Sequence, residues 1–300
     1  MSIFTVDFER NNYFVVTAKI LNAKIPEINV TVRSTGSGIH NIRLLEKREV
    51  DLGAIDTSGA WAALVGKEPF EGKPFPDADM RILYIIATNP LQFVVSEKSG
   101  VKDIYGLEGK TYTPGMLGST GESTTTGILN ILGVHPKMRH MSYADALEAM
   151  KNEQIVGFSK YSVPDSSILD VASAMKIRIL SFTDPELEKI VNNVAGLKKT
   201  VVPSGMYPGV GEFKTVENEW ANLVRKDFST EIAYRWVKTV WENRAEIKQV
   251  SPMSLGDRLV EVSLGVKTDR LYFHPGAIRF YRELGMKVPK NLIPPEMGEK

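Results

Sequence analysis

Short apolar runs alternate with segments of helical periodicity over the first 60 residues of the chain. Ser2–Val6, Ile28–Arg33 and Val50–Ile55 have the length and apolar content of strands, while Tyr13–Leu21 and Ile39–Glu46 have helical spacing. Strands that alternate with helices over short connections are typical of βαβ units. The pattern therefore predicts an α/β chain with a largely parallel sheet.

A second series of the same kind follows a long apolar run, Met80–Val95, which Asn89-Pro90 is expected to break. Apolar alternation and capping residues place its elements. The predicted elements are a strand near Thr111, helices over Thr124–Leu132, Tyr143–Lys151 and Ser166–Ala174, and strands over Ile155–Phe158 and Ile177–Phe182.

A proline- and glycine-rich stretch, Pro203–Gly211, precedes a more helical C-terminal part. There the pattern predicts a strand over Trp220–Arg225 and helices over Glu231–Glu242 and Pro275–Leu284. Two βα series with a late return segment indicate two lobes that are joined by more than one crossing strand. Ligands of open α/β sheets bind at the carboxyl ends of strands, so the loops that follow strands carry the functional information.

Two of these loops have the composition of anion sites. Ser34–Gly38 and Thr113–Gly121 are rich in glycine and small hydroxyls, and each precedes a predicted helix. Backbone N–H groups at a helix N-terminus attract anions. The alternative is an ordinary capped turn, and Ser119 with Glu122 fits the capping-box spacing. The second loop lacks the lysine of a P-loop and the dinucleotide glycine pattern, so nucleotide binding is not indicated.

Two further strand ends are polar. Asp56-Thr57-Ser58-Gly59 follows the third strand, and Tyr161-Ser162-Val163-Pro164 follows the strand at Ile155–Phe158. Such ends suit contacts with a small molecule, although a surface turn has the same composition.

Composition excludes several other classes of function. The 300 residues contain no cysteine, which removes disulfides, thiol catalysis and cysteine metal sites, and a net charge of +1 argues against a protein that grips nucleic acid. His135 and His140 are five residues apart and would not share a helix face as a metal pair requires, so we expect no metal and no cofactor. No nucleophile elbow is present, and nothing requires an enzyme. No stretch is long and apolar enough to span a bilayer, and no signal peptide is visible.

Four ordered segments resemble the TAXI family of solute-binding proteins, which serve TRAP-type membrane transporters. The segment Val30–Gly53 is similar to the family's signature run, and Leu107–Gly121 is similar to its glycine- and serine-rich stretch. Pro203–Gly209 and His274–Gly285 match its late Tyr-Pro-Gly and HPGA motifs. One departure is the segment Asp7–Phe14, where the family carries a Gly/Thr-rich turn and a tyrosine pair.

The resemblance implies a two-lobed type II periplasmic-binding fold with a ligand cleft and hinge strands near Leu91–Val95 and Val216–Arg225. Lobe 1 would comprise residues 1–90 and 216–300, and lobe 2 residues 91–215. It implies an extracytoplasmic protein that captures a small anionic solute by hinge closure, either a glutamate-like amino acid or a dicarboxylate. Without a visible signal peptide, the protein is either cytoplasmic or has had its signal removed, and the strand that begins at Ser2 favours removal. A TRAP-type permease would be its partner; a receptor for a sensor protein and a transferase on the same fold are the alternatives.

The candidate ligand contacts combine the strand-end loops with the family's pattern. Arg33, or Arg10, could add a bidentate clamp on a carboxylate, although a surface arginine is the plainer interpretation. The positions carried over are Asn12, Tyr13, Arg33, Ser34, Thr35, Ser37, Asp56, Thr57, Ser119, Thr120, Tyr161 and Tyr207.

Overall fold

The computed structural model describes the chain except Met1 and residues 6–7, 36–37, 68–69, 71–79, 195, 269 and 299–300, together with the side chains of residues 2–5 and 8–11. Strand and helix alternate at the start, as the pattern predicts. The elements are β1 (Ser2–Thr5), α1 (Phe8–Lys24), β2 (Thr31–Ser34), α2 (Gly38–Glu46), β3 (Leu52–Asp56) and α3 (Thr57–Val65).

Helix α1 differs from the prediction at both ends, because it begins at Phe8 and ends at Lys24 rather than covering Tyr13–Leu21. The segment that departs from the family pattern therefore lies largely in its first turns. Helix α3 was not predicted. Its apolar sequence lacks clear helical periodicity, but Asp56 caps its N-terminus and Gly66 ends it in the left-handed conformation, at φ 69°.

Strand β4 (Met80–Ser96) continues through Asn89-Pro90, where the sequence predicts a break. Residues 81–82 pair with a strand near the C-terminus, whereas residues 91–96 pair with residues of the second series. Proline cannot donate to a ladder and is tolerated where pairing is interrupted. Pro90 lies just before the register that starts at Leu91, so the strand accommodates it.

The second series follows β4. Strand β7 is displaced by a few residues from the predicted Ile155–Phe158, so that Tyr161 is its last residue rather than the start of the loop. The elements are β5 (Thr111–Thr113), α4 (Thr120–Leu132), β6 (Lys137–Met138), α5 (Tyr143–Lys151), β7 (Gly157–Tyr161), α6 (Ser166–Ala174), β8 (Ile177–Ile179), α7 (Asp184–Asn193) and β9 (Lys198–Val202).

A long strand leads into the C-terminal helices. Strand β10 extends over Phe213–Arg225, although only its second half is predicted from the sequence. The remaining elements are α8 (Thr230–Glu242), α9 (Arg244–Val250), α10 (Leu259–Leu264), β11 (Tyr272–Phe273) and α11 (Pro275–Glu283).

The chain divides into two compact units. Unit 1 comprises Met1–Thr88 and Glu219–Lys300, and unit 2 comprises Asn89–Asn218. In unit 1, β1 is parallel to both β2 and β3, and β10 is antiparallel to β3. In unit 2, β5 is parallel to both β6 and β7, and β7 is antiparallel to β4. The predicted parallel βαβ units are thus present, and the antiparallel pairs come from β4 and β10, the strands that pass from one unit into the other.

Each unit has its own apolar core. The core of unit 1 includes Phe14, Trp220 and Trp236. Unit 2 has one apolar cluster that includes Leu129 of α4 and another that includes Phe158 of β7. Within the described ranges, no helix is long and apolar enough to cross a membrane.

The motif His274-Pro275-Gly276 begins α11 in unit 1. The His274 ring is fully buried; Nδ1 accepts a hydrogen bond from the Gly276 N–H at 3.2 Å, and Nε2 lies 2.9 Å from the Phe228 carbonyl oxygen. An acceptor on Nδ1 leaves Nε2 as the N–H donor of the neutral ring. His274 is therefore a structural cap and the link between α11 and the turn before α8.

We expect His274 to make unit 1 sensitive to acid. Burial lowers the pKa of His274 to about 4. The hydrogen bond to the Phe228 carbonyl favours the charged ring and acts in the opposite direction, but it is the smaller effect. Because the unfolded chain binds this proton more tightly, stability is lost as the pH falls from about 6.5 towards 4. The loss at pH 5 is about 2 kcal/mol relative to pH 7. Urea unfolding at the two pH values measures it.

The matched variant is His274→Asn, whose amide oxygen can cap the helix without titrating. Its free energy of unfolding should be lower than that of the wild type at pH 7 and should fall less between pH 7 and pH 5. An equal fall in the two proteins would contradict the assignment of the acid sensitivity to His274.

Candidate functional site

In unit 1, polar side chains gather where β2 and β3 end. Asp56 is the last residue of β3 and is 6% exposed; its Oδ1 accepts hydrogen bonds from the Gly59 N–H at 2.6 Å and the Ser58 hydroxyl at 2.7 Å. A Cβ added at Gly38, the first residue of α2, would lie 3.6 Å from Asp56 Oδ2. The N-termini of α2 and α3 thus both meet this carboxylate, which occupies the favourable place for an anion there.

A second buried carboxylate lies beside it. The Thr57 hydroxyl donates to Glu219 Oε2 at 3.1 Å, and Glu219, on β10, is 1% exposed. The next residue, Trp220, pairs with Asp56 in the antiparallel ladder. Sequence reasoning missed Glu219; the available signal was an acidic residue directly before the predicted strand Trp220–Arg225.

Thr35, the residue after β2, is held by the side-chain amide of Asn41. Thr35 Oγ1 donates to Asn41 Oδ1 at 2.6 Å, and Asn41 Nδ2 donates to the Ala54 carbonyl at 2.8 Å. Thr35 is half-buried, whereas Ser34 and Arg33 are exposed on β2. We call Thr35, Asn41, Asp56, Thr57 and Glu219 the unit-1 set; its two carboxylates favour a ligand group that donates hydrogen bonds or carries positive charge.

In unit 2, the N-terminus of α4 is the centre of a second polar group. Ser119 accepts a hydrogen bond from the Glu122 N–H at 3.2 Å, which confirms the capping interaction that the spacing predicts. A Cβ at Gly115, where φ is 102°, would lie 3.1 Å from the Tyr143 hydroxyl oxygen. A Cβ at Gly121 would lie 3.8 Å from the same oxygen and 3.9 Å from both Ser119 Oγ and Tyr161 Cδ2.

We call Gly115, Ser119, Gly121, Tyr143 and Tyr161 the unit-2 set. The two glycines leave the first turn of α4 accessible to the phenol groups, and Thr120 is half-buried at the first helical position. Tyr143 was missed because it begins α5, a different helix, and nothing in the sequence indicates that its ring would fold back to the α4 turn.

The cation nearest to Tyr143 is already paired. Lys160 Nζ lies 4.4 Å from the centre of the Tyr143 ring and 2.8 Å from Asp165 Oδ2, and it donates to the Ser167 hydroxyl at 2.9 Å. Asp165 in turn caps α6 by accepting from the Ile168 N–H at 3.1 Å. Lys160 is neutralised by Asp165, and the first turn of α4 also carries the carboxylate of Glu122, so the positive potential that the unit-2 set offers comes from the N–H groups and dipole of α4.

Two of the predicted contacts are interior residues. Tyr13 is 1% exposed and donates to the Tyr84 hydroxyl at 3.1 Å, and burial raises its pKa well above the usual range, so it stays protonated. Tyr207 is 2% exposed, and its hydroxyl accepts a hydrogen bond from the Asp165 N–H at 2.9 Å. Both hydroxyls make interactions inside one unit, and neither belongs to the sets defined above.

The remaining predicted contacts are dispersed. Asn12 is exposed on α1. Ser37 and the side chain of Arg10 lie outside the described residues. Among the side chains that the structure describes, no three of the types that ligate metals come together as an ion site.

Several solved structures of other proteins are similar to this one. The periplasmic aliphatic sulphonate binding protein SsuA from Escherichia coli is 14% identical, with a TM-score of 0.53 over 94% of this chain and 82% of that chain. XAC2383 from Xanthomonas citri, bound to ATP, is 12% identical, with a TM-score of 0.58 over 95% and 94%. The zinc-bound ligand-binding component of an ABC-type import system from Staphylococcus aureus is 11% identical, with a TM-score of 0.51 over 99% and 97%.

These similarities confirm the predicted fold, which is the α/β fold of two-lobed periplasmic binding proteins. The sequence model that matches the chain is that of the NMT1-like family, over residues 11–285, so the narrower resemblance to the TAXI family stays a prediction. The chain belongs to the NMT1-like family.

Proposed function

We propose that the chain is an extracytoplasmic solute-binding protein that captures a small anionic organic solute and delivers it to a membrane transporter. The fold supports a binding protein. Anionic ligands occur on this fold, since one neighbour is described as a sulphonate-binding protein and another was solved with ATP. We propose no catalytic role.

The observation that carries the proposal is the accessible N-terminus of α4. Ser119 caps it, Gly115 and Gly121 keep it clear of side-chain bulk, and Tyr143 and Tyr161 stand beside it. Hydroxyls and backbone N–H groups of this kind suit a carboxylate.

A single helix N-terminus is not sufficient. Micromolar binding requires about 8 kcal/mol. One helix dipole contributes about 0.3–2 kcal/mol, so several hydrogen bonds to the charged group, each worth about 1.5–3 kcal/mol, must supply the rest. We propose that the hydroxyl and N–H groups of the unit-2 set supply these bonds, with hinge closure, as the resemblance implies, to exclude water from the solute.

We propose a glutamate-like amino acid or a dicarboxylate as the solute, as the sequence resemblance implies.

The partner in this proposal is a TRAP-type permease, on the strength of the sequence resemblance. A receptor that presents its ligand to a sensor protein would need the same kind of site, and a gene for a multi-span membrane transporter beside this one would distinguish the transport role from the sensing role. A transferase on the same fold is the third candidate, and turnover of a bound solute would favour it.

The test is mass spectrometry of the purified protein, native and then denatured. It is accompanied by measurements of the melting temperature in the presence of L-glutamate, L-aspartate, succinate or glutarate. We expect a co-purified acid, or stabilisation of about 2.7 kcal/mol at a concentration 100 times the Kd, because the ligand binds only the folded state. An empty protein that none of the four acids stabilises would contradict the proposal.

A further inference from the structure

One buried amide in unit 2 is only half satisfied. Gln92 is fully buried in the apolar strand β4, and its Nε2 donates to the Ser162 carbonyl oxygen at 2.5 Å. Its Oε1 is buried and has no hydrogen-bond partner among the described residues. A buried acceptor without a donor has lost its hydrogen bond to water and gained none in exchange. The position thus carries a penalty that a leucine or methionine would avoid.

The strand register places this amide on the same face of the sheet as Tyr143, one member of the unit-2 set. Gln92 is paired with Lys160 and Leu91 with Tyr161 in the antiparallel ladder of β4 and β7. Paired residues project to the same face of a sheet, so Gln92 shares a face with Lys160. On that face the Tyr143 ring covers Lys160, and the Tyr143 hydroxyl reaches Gly115 and Gly121 at the start of α4.

The polar neighbours of Gln92 on this face are engaged with one another. Lys160 donates to Asp165 and to Ser167. Asp165 also accepts from the first turn of α6. The donors of this cluster therefore have acceptors other than Gln92 Oε1.

We propose that Gln92 is a specificity-determining residue whose Oε1 accepts a hydrogen bond from a donor on the solute, an ammonium or a hydroxyl group. The inference rests on the proposed function and deepens it. The α4 N-terminus holds a carboxylate, and Gln92 selects, among small acids, those that carry a donor near that carboxylate. When a solute without the donor binds, Oε1 stays without a hydrogen bond.

The experiment compares two probes that differ in the donor alone, L-glutamate and glutarate. Their Kd values are measured by calorimetry for the wild type, for Gln92→Met and for the control Gln154→Met. Methionine keeps the length of the side chain and removes its hydrogen-bonding atoms, and Gln154 is exposed, 3.4 Å from Arg139 Nη1. We expect Gln92→Met to lower the preference for L-glutamate over glutarate by about tenfold or more through weaker L-glutamate binding, and the control to leave it unchanged.

Two results overturn the inference while the proposed function stands. If Gln92→Met weakens the binding of both acids equally, Gln92 positions the turn at Ser162 and does not bind the donor group of the solute. If the variant changes neither Kd, the solute does not donate a hydrogen bond to Oε1. Failure of the wild type to bind either acid or any co-purified solute is a different result, which overturns the proposed function and the inference with it.

Discussion

Gly121→Leu is expected to weaken solute binding by at least about a hundredfold without lowering the stability of the fold. A Cβ at this position would make ordinary contacts of 3.8–3.9 Å with Tyr143, Ser119 and Tyr161, so the larger side chain can enter. Its branches would then occupy the space beside the α4 N-terminus, where we place the carboxylate of the solute. Loss of two charge-assisted hydrogen bonds is sufficient for this magnitude.

The chain offers a matched control on the same helix. Gly127 has no atom within 4 Å of an added Cβ, so Gly127→Leu adds the same side chain away from the unit-2 set. Leucine is a better helix former than glycine by about 1 kcal/mol, and the melting temperature of both variants should be maintained or raised. Calorimetric titration with L-glutamate, or with the co-purified solute, measures the affinity. Wild-type affinity in Gly121→Leu would remove the unit-2 set from the proposal, and equal loss in both variants would indicate a general effect on α4.

Local signals predicted part of this arrangement. The spacing of Ser119 and Glu122 indicates a helix start, and the structure shows that bond at 3.2 Å. The position of Asp56 at a polar strand end likewise follows from its neighbours. In both cases the interaction joins residues that are two or three positions apart, so the local sequence is sufficient to predict it.

The contacts that were missed join distant parts of the chain. Thr57 and Glu219 are 162 residues apart, and only the pairing of β3 with β10 brings them together. Tyr143 reaches Gly115 because α5 packs over the end of β7. Gln92 lies within an apolar run, and the hydrophobic pattern does not indicate that its amide is buried. Strand pairing between distant segments is a tertiary property, and the local pattern of one sequence does not reveal it.

Tyr13 is a predicted ligand contact that the structure places in the interior of unit 1. Its place after the first strand and its match to the family's aromatic position favoured a ligand contact. In the structure its ring lies edge-on to Phe14 at 5.2 Å and its hydroxyl meets Tyr84 inside unit 1. An aromatic residue at helical spacing is more often a core residue, and the helix α1 that begins at Phe8 turns Tyr13 towards the interior.

Gly276→Ala is expected to be the most destabilising of the substitutions considered, lowering the free energy of unfolding by about 3 kcal/mol or more. A Cβ at Gly276 would lie 2.3 Å from the Thr230 carbonyl oxygen and 2.7 Å from the Tyr234 backbone nitrogen. Both atoms belong to the backbone of α8 and cannot rotate away, so α8 and α11 would have to separate. The HPGA motif is thus a packing requirement of unit 1, in which His274 caps α11 and Gly276 allows the close approach of two helices.

The control for this substitution is Gly211→Ala, since an added Cβ there meets nothing within 4 Å. Thermal unfolding should show a fall of about 6–12 °C for Gly276→Ala and little change for Gly211→Ala. Because Gly276 lies in unit 1 and the unit-2 set does not depend on α11, the two glycine experiments separate the two roles. Gly121→Leu should remove binding from a stable protein, whereas Gly276→Ala should lower stability at temperatures where the remaining folded protein still binds. A Gly276→Ala variant as stable as the wild type would contradict the close approach of α8 and α11.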